Sequence, residues 1–153
     1  IIFGMSKENK LVEFQNATVS TIRAIASKKL NNREIQFFGN VSSYNSKQIT
    51  LPKINDDYNN NDLIKTRGES DQVSLKLKFH DKKIHSRFKP TSELASSIFD
   101  LAEETRIETI GSKKYIGIKD NINTLIEKKF KTNLISPPGS EDTSSFINAF
   151  HLY

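Results

Sequence analysis

DLIKTRGESDQVSLKLKFHDKKIHSR, residues 62–87, carries two competing periodicities, one helical and one strand-like, and the fold class turns on which prevails. Val73, Leu75, Leu77 and Phe79 alternate as a half-buried strand would. Ile64, Arg67, Asp71, Leu75 and Phe79 recur at helical spacing, and Lys76, Lys78, Lys82 and Lys83 are good helix formers. Gly68 weakens a helix by about 1 kcal/mol relative to alanine. Length arbitrates: the run is far longer than an ordinary strand, so it is read as a helix.

Upstream, residues 6–29 form an amphipathic helical pattern with Leu11, Phe14, Thr18, Ile22 and Ile25 on one stripe. Ser6 is the expected N-cap and Asn31-Asn32 the stop. Glu34–Phe38 and Gln48–Leu51 read as two short strands around a polar turn at Ser42–Ser46, which predicts a small hairpin. Residues 52–61 have no periodicity and read as loop. Downstream, Pro90-Thr91-Ser92 with Glu93 marks a helix start. Leu94, Ala95, Ile98, Phe99, Leu101, Ala102, Ile107 and Ile110 give that helix its apolar face, and Gly111 is expected to close it. Asp120 is expected to cap a last helix carrying Ile122, Leu125, Ile126 and Phe130. The expected fold is mainly α, with four principal helices and a small β-hairpin between the first and second. Residues 1–133 are read as one helical domain and 134–153 as linker or tail. Within the tail, Asp142–Phe146 only superficially resembles a metal-adhesion motif. Met5-Ser6-Lys7 has the form of a natural start.

Composition bounds the function. Hydrophobic residues make up 35% of the 153-residue chain, and mean hydropathy is −0.54. Such a chain has either a thin core or a surface completed by partners. The absence of cysteine excludes disulfides, thiolate zinc sites and thiol catalysis. No apolar run is long enough to span a bilayer, so a cytoplasmic protein without a membrane role is expected. The net charge of +5 is spread over isolated lysine doublets rather than a stripe. With no recognised nucleic-acid motif beside it, nucleic acid is not an expected partner. Neither a phosphate loop nor a dinucleotide-binding glycine motif is present.

Two groups of residues could carry chemistry. The first is His80-Asp81 followed by His85. On one continuous helix Asp81 and His85 share a face and would pair, whereas His80 and His85 diverge by about 140°. A metal clasp would therefore need the helix to end between the two histidines. A metal-dependent phosphohydrolase built on a His-Asp pair needs another histidine well upstream, and none precedes His80. The second group is Asp100, Glu103, Glu104, Arg106 and Glu108 on an otherwise apolar helix. Paired carboxylates there could bind a metal or work as acid and base. The plainer reading is a charge network, with Arg106 on Glu103 and Arg67 on Asp71.

Three ordered strings carry a family resemblance: Thr66-Arg67-Gly68-Glu69-Ser70-Asp71, then His80-Asp81 through His85, then Phe99-Asp100 through Glu103, Arg106, Glu108 and Gly111. They are similar, in order and spacing, to the amino-terminal region of the T subunit of aerobic cobaltochelatase, the CobT family. The family places the acid first where this chain has Ser70-Asp71. The resemblance spans roughly residues 8–132 and extends through Gly117–Ile122. It implies a non-catalytic domain of the ATP-dependent complex that inserts cobalt into hydrogenobyrinic acid a,c-diamide in cobalamin biosynthesis. Partners implied are an AAA+ S subunit, on which the domain would dock, and a large tetrapyrrole-binding subunit, with the three forming an oligomer. ATP, magnesium and cobalt would belong to that assembly, with no catalytic residue, metal or cofactor in this domain. The residues named in the three strings would form a structural or interaction motif. The competing expectation is an independent metal-handling or hydrolytic helical domain using His80, Asp81, His85, Glu103 and Glu108. Convergence of two histidines and a carboxylate would favour it, and histidines on opposite sides would exclude it.

Overall fold

A computed structural model describes residues 6–133. The elements run α1 (Lys7–Ala26), a 3-10 turn (Ser27–Leu30), β1 (Glu34–Gly39), β2 (Ser43–Tyr44), β3 (Gln48–Pro52), α2 (Asn60–Phe79), α3 (Lys82–Phe88), α4 (Glu93–Lys114) and α5 (Ile116–Asn133). The described residues are mainly α, as expected, with five α-helices where four were expected and a three-stranded sheet between the first two. It divides into two compact units, one ending at Lys78 and the other beginning at Phe79. The segment 134–153, read as linker or tail, lies outside the described residues.

In the first unit, Ser6 caps α1 as its sequence suggests, its side-chain oxygen accepting from the Asn9 N–H at 3.2 Å. Leu11, Thr18, Ile22 and Ile25 form the buried stripe. The α-helix stops at Ala26, five residues before Asn31. Ser27, Asn31 and Asn32 all take positive φ, a conformation that asparagine tolerates better than most residues.

The sheet departs from the predicted hairpin. β1 and β3 pair in parallel, with Ile35 opposite Ile49 and Phe37 opposite Leu51. The two-residue β2 pairs antiparallel on the other edge of β3, giving the order β1-β3-β2. The tight turn therefore lies between β2 and β3. There the Asn45 side chain accepts from the Lys47 and Gln48 N–H groups at 2.8 and 2.9 Å, an Asx-type closure. Leaving β1, the chain must fold back on itself at Gly39. A Cβ there would stand 2.9 Å from the Val41 carbonyl oxygen and 3.0 Å from Thr50.

Ile49 and Leu51, two apart on the central strand, point to one face. They meet Ile22 and Ala26 of α1 and Val73 and Leu77 of α2 in one apolar cluster. The strand-like alternation of Val73, Leu75 and Leu77 is thus carried by a helix buried over much of its surface. Glu69, buried in α2, accepts from the Ser42 N–H at 2.6 Å and its hydroxyl at 2.9 Å, holding the β1–β2 connection. Lys78 donates to the Ile25 carbonyl near the end of α1 at 2.8 Å, where the helix dipole favours a cation.

The second unit corrects three expected boundaries. The helix predicted through residue 87 ends at Phe79, because Asp81 turns to extended backbone and caps α3. Its Oδ1 accepts from Lys83 N and Ile84 N at 2.9 and 3.1 Å. Two N–H groups satisfied at once offset the helical bonds lost at the break. Gly111 does not close α4. It is buried inside the helix, which continues to Lys114, and its carbonyl accepts from Tyr115 N at 2.8 Å. Asp120 is not a cap either, since α5 begins at Ile116 and passes through it. α4 and α5 pack together, burying Leu101 and Ile107 from one and Ile118, Ile122 and Leu125 from the other. Among the described residues, no helix is long and apolar enough to cross a membrane.

Because the cap sets the break, Asp81→Ala is expected to cost about 1 kcal/mol of stability in the second unit. Denaturant unfolding followed by circular dichroism measures this. An unchanged midpoint would mean that the cap contributes nothing.

Candidate functional site

The break at Asp81 places His80 at the end of α2 and His85 on the second turn of α3, with α4 running beside both. Their rings, which one continuous helix would have turned apart, lie edge-on with centroids 4.9 Å apart. Asp81, the partner expected for His85, has its own task at the start of α3. Its side chain caps α3, and His85 Nε2 meets Asp100 Oδ1 of α4 at 2.7 Å. Phe99 backs the same imidazole, centroid to centroid 4.8 Å at 31°. His80 Nδ1 meets Glu103 Oε1 at 2.9 Å, one turn further along α4. Asp100 and Glu103, three apart, thus face α3 together, each holding one histidine.

Both carboxylates also hold a cation. Arg106 grips Glu103 with two bonds, Nε to Oε2 at 2.7 Å and Nη2 to Oε1 at 2.9 Å, and Nη2 donates as well to the Phe79 carbonyl at 3.1 Å. The predicted Arg106–Glu103 pairing is therefore present, and it also ties α4 to the last residue of α2. Lys89, which sequence reasoning missed, donates to Asp100 Oδ2 at 2.6 Å. No periodicity marks it, because it lies in the α3–α4 connection.

Electrostatics follow the contacts. The hydrogen bonds from Arg106 chiefly lower the Glu103 pKa to about 2; partial burial opposes this, and His80 adds to it. Glu103 in turn raises Arg106. Burial works against ionisation of Asp100, but the bonds from Lys89 and His85 outweigh it and hold the carboxyl below its usual value. Both acids are ionised at neutral pH, each balanced by a basic side chain, so with neutral imidazoles the cluster carries no net charge.

One ligand atom each from His80, His85 and Glu103 lies within 4.8 Å of the other two. This is the convergence of two histidines and a carboxylate that distinguishes the metal-handling expectation. Asp81 and Glu108, named with them from sequence, are not in this group. The first motif lies on α2 in the first unit. Gly68 and Asp71 are buried there, Asp71 to 1% exposure. The Arg67 carbonyl accepts from the Ser70 hydroxyl at 2.8 Å. The part of that motif with a visible structural task is Glu69, which sequence reasoning quoted but gave no role.

A family model described as cobalamin biosynthesis protein CobT matches residues 8–152, a span that takes in the sheet and, but for Lys7, the five described α-helices. No solved structure matches the chain.

Proposed function

The chain belongs to the CobT family of cobalamin biosynthesis proteins, and from that premise we propose that it is a non-catalytic recognition domain of aerobic cobaltochelatase. In this reading it docks on the AAA+ S subunit and passes that subunit's nucleotide-dependent movements to the assembly. The same assembly contains the large tetrapyrrole-binding subunit and inserts cobalt, its substrate, into hydrogenobyrinic acid a,c-diamide. ATP and magnesium belong to the partner's chemistry.

The observation that carries the docking role is the outer face of α3. Ile84 and Phe88, one helical turn apart, are 58% and 63% exposed, and Lys82, Lys83 and Arg87 around them are exposed as well. His85, on an adjoining face of the same short helix, joins it to α4 through Asp100. A helix face with an apolar centre and a cationic rim suits a partner surface that is apolar and acidic. Coupling to ATP requires that this surface contact the ATPase differently in its nucleotide states.

Calorimetric titration of the chain into the cognate S subunit, with ATP and then ADP bound, tests the proposal. Specific binding that differs between nucleotide states is expected. Ile84→Ser with Phe88→Ser should weaken it by about tenfold or more, as loss of central apolar contacts does. If the wild-type chain does not bind in either state, the docking role is wrong.

A further inference from the structure

We propose that His80, His85 and Glu103 form a site for one divalent late first-row transition-metal ion, of which zinc is the simplest probe. This goes beyond the docking role, departs from the expectation that the domain carries no metal of its own, and does not depend on either.

The donor set comes first. Two imidazoles and a carboxylate suit zinc, nickel, copper or divalent cobalt, whereas magnesium and calcium prefer all-oxygen cages. Two histidines and one glutamate also form a known three-ligand set for zinc, with a fourth position left to water. The three donor atoms already lie within 4.8 Å of one another. Zinc bonds of about 2.0–2.2 Å place tetrahedral donors about 3.3 Å apart. The His80 Nδ1 to Glu103 Oε1 separation, 2.9 Å, is already near that. The rest of the closure, about 1.5 Å at most, is within the reach of side-chain rotation. The side chains of His80, His85 and Glu103 are only 11%, 15% and 17% exposed, so a bound ion would be largely screened from water.

Orientation supplies a second, independent argument. Metal-binding imidazoles generally donate their other ring N–H to a carboxylate, which fixes the tautomer. Asp100 stands in that position, 2.7 Å from His85 Nε2, and Lys89 at 2.6 Å keeps it ionised. With Nε2–H directed at Asp100, Nδ1 of His85 carries the lone pair. His80 now spends Nδ1 on Glu103. On binding, its proton resides on Nε2, and Nδ1 ligates in place of the hydrogen bond.

Arg106 sets the strength. A carboxylate offers about four lone-pair positions. Arg106 occupies one on each Glu103 oxygen and His80 one more on Oε1, which the ion would take over. The guanidinium keeps Glu103 deprotonated yet cancels its charge, so the ion meets a neutral ligand set. Affinity should be on the order of micromolar, weaker than a structural zinc site.

The test is a zinc titration of the full chain near neutral pH, followed by calorimetry and by ring-nitrogen NMR of its histidines. Expected are one ion per chain, ring-nitrogen shifts at both His80 and His85, and weaker binding in His80→Gln and His85→Gln. Asp100→Asn, a change to a positioning residue, should lower affinity about 10- to 100-fold. Should any variant fail to fold, the wild-type NMR shifts alone decide. The proposal is overturned by no stoichiometric uptake, by shifts confined to the chain's third histidine, His151, or by folded histidine variants that bind as tightly as the wild type.

Discussion

Leu51→Ala is expected to destabilise the first unit by about 2–5 kcal/mol, the range for a large-to-alanine change in a packed core. Leu51 is fully buried on β3, where α1 and α2 both reach the same face of the sheet through Ile22, Ala26, Val73 and Leu77. A cavity there touches every element of that cluster, and its backbone cannot collapse freely while it is paired on both edges. Native-state hydrogen exchange provides the measurement. Protection should fall at Ile49 and Thr50 and along α2, with the amides of α4 and α5 much less affected. A loss below about 1 kcal/mol would mean that the site is loosely packed, contrary to the structure.

Acid sensitivity in the second unit should be set largely by Glu103. Its folded pKa, about 2, lies below the ordinary value of 4.5, so the folded state holds its proton less tightly than the unfolded chain. That contribution is fully present above about pH 4.5 and is lost as pH falls towards 2. The unfolded chain takes up the proton first, and stability drops through that window. Arg106 is 48% exposed, so solvent screening reduces the worth of the pair to about 1–2 kcal/mol, well below the full shift. Glu103→Gln should therefore lose about that much at neutral pH, and its stability should fall less steeply than that of the wild type between pH 4.5 and 2. Asp100, also lowered, acts in the same direction, and its part of the acid slope should remain in the variant. Parallel unfolding curves for wild type and variant across that range would show that the Arg106 pair does not hold Glu103 in solution.

How much of the candidate site could be read in advance depended on distance along the chain. The Arg106–Glu103 pair is three residues apart on one helix, so helical geometry alone predicts it. The partners of the histidines are not local. Glu103 is 23 residues from His80, and Asp100 is 15 residues from His85. No periodicity couples positions across a helix break and a connecting loop. The same limit misplaced the sheet pairing. β2 has only two residues, too few to show alternation, so the visible strands β1 and β3 were joined directly although they run parallel.

Legible in the chain alone were the mainly helical class, the cap at Ser6, the helix start before Glu93, the buried stripe of α1 and, through the order of its three motifs, the family. These depend on contacts within a turn or two of helix, or on residue order, and both are written directly in the chain. Residues 62–87 show where that stops. Length made the stretch helical, and most of it is, but a continuous helix and a break at Asp81 differ by little more than the worth of one cap. Contacts from α4 tip such a balance: Arg106 on the Phe79 carbonyl, Glu103 on His80 and Asp100 on His85. Only the tertiary structure could decide it, and that decision brought the two histidines together.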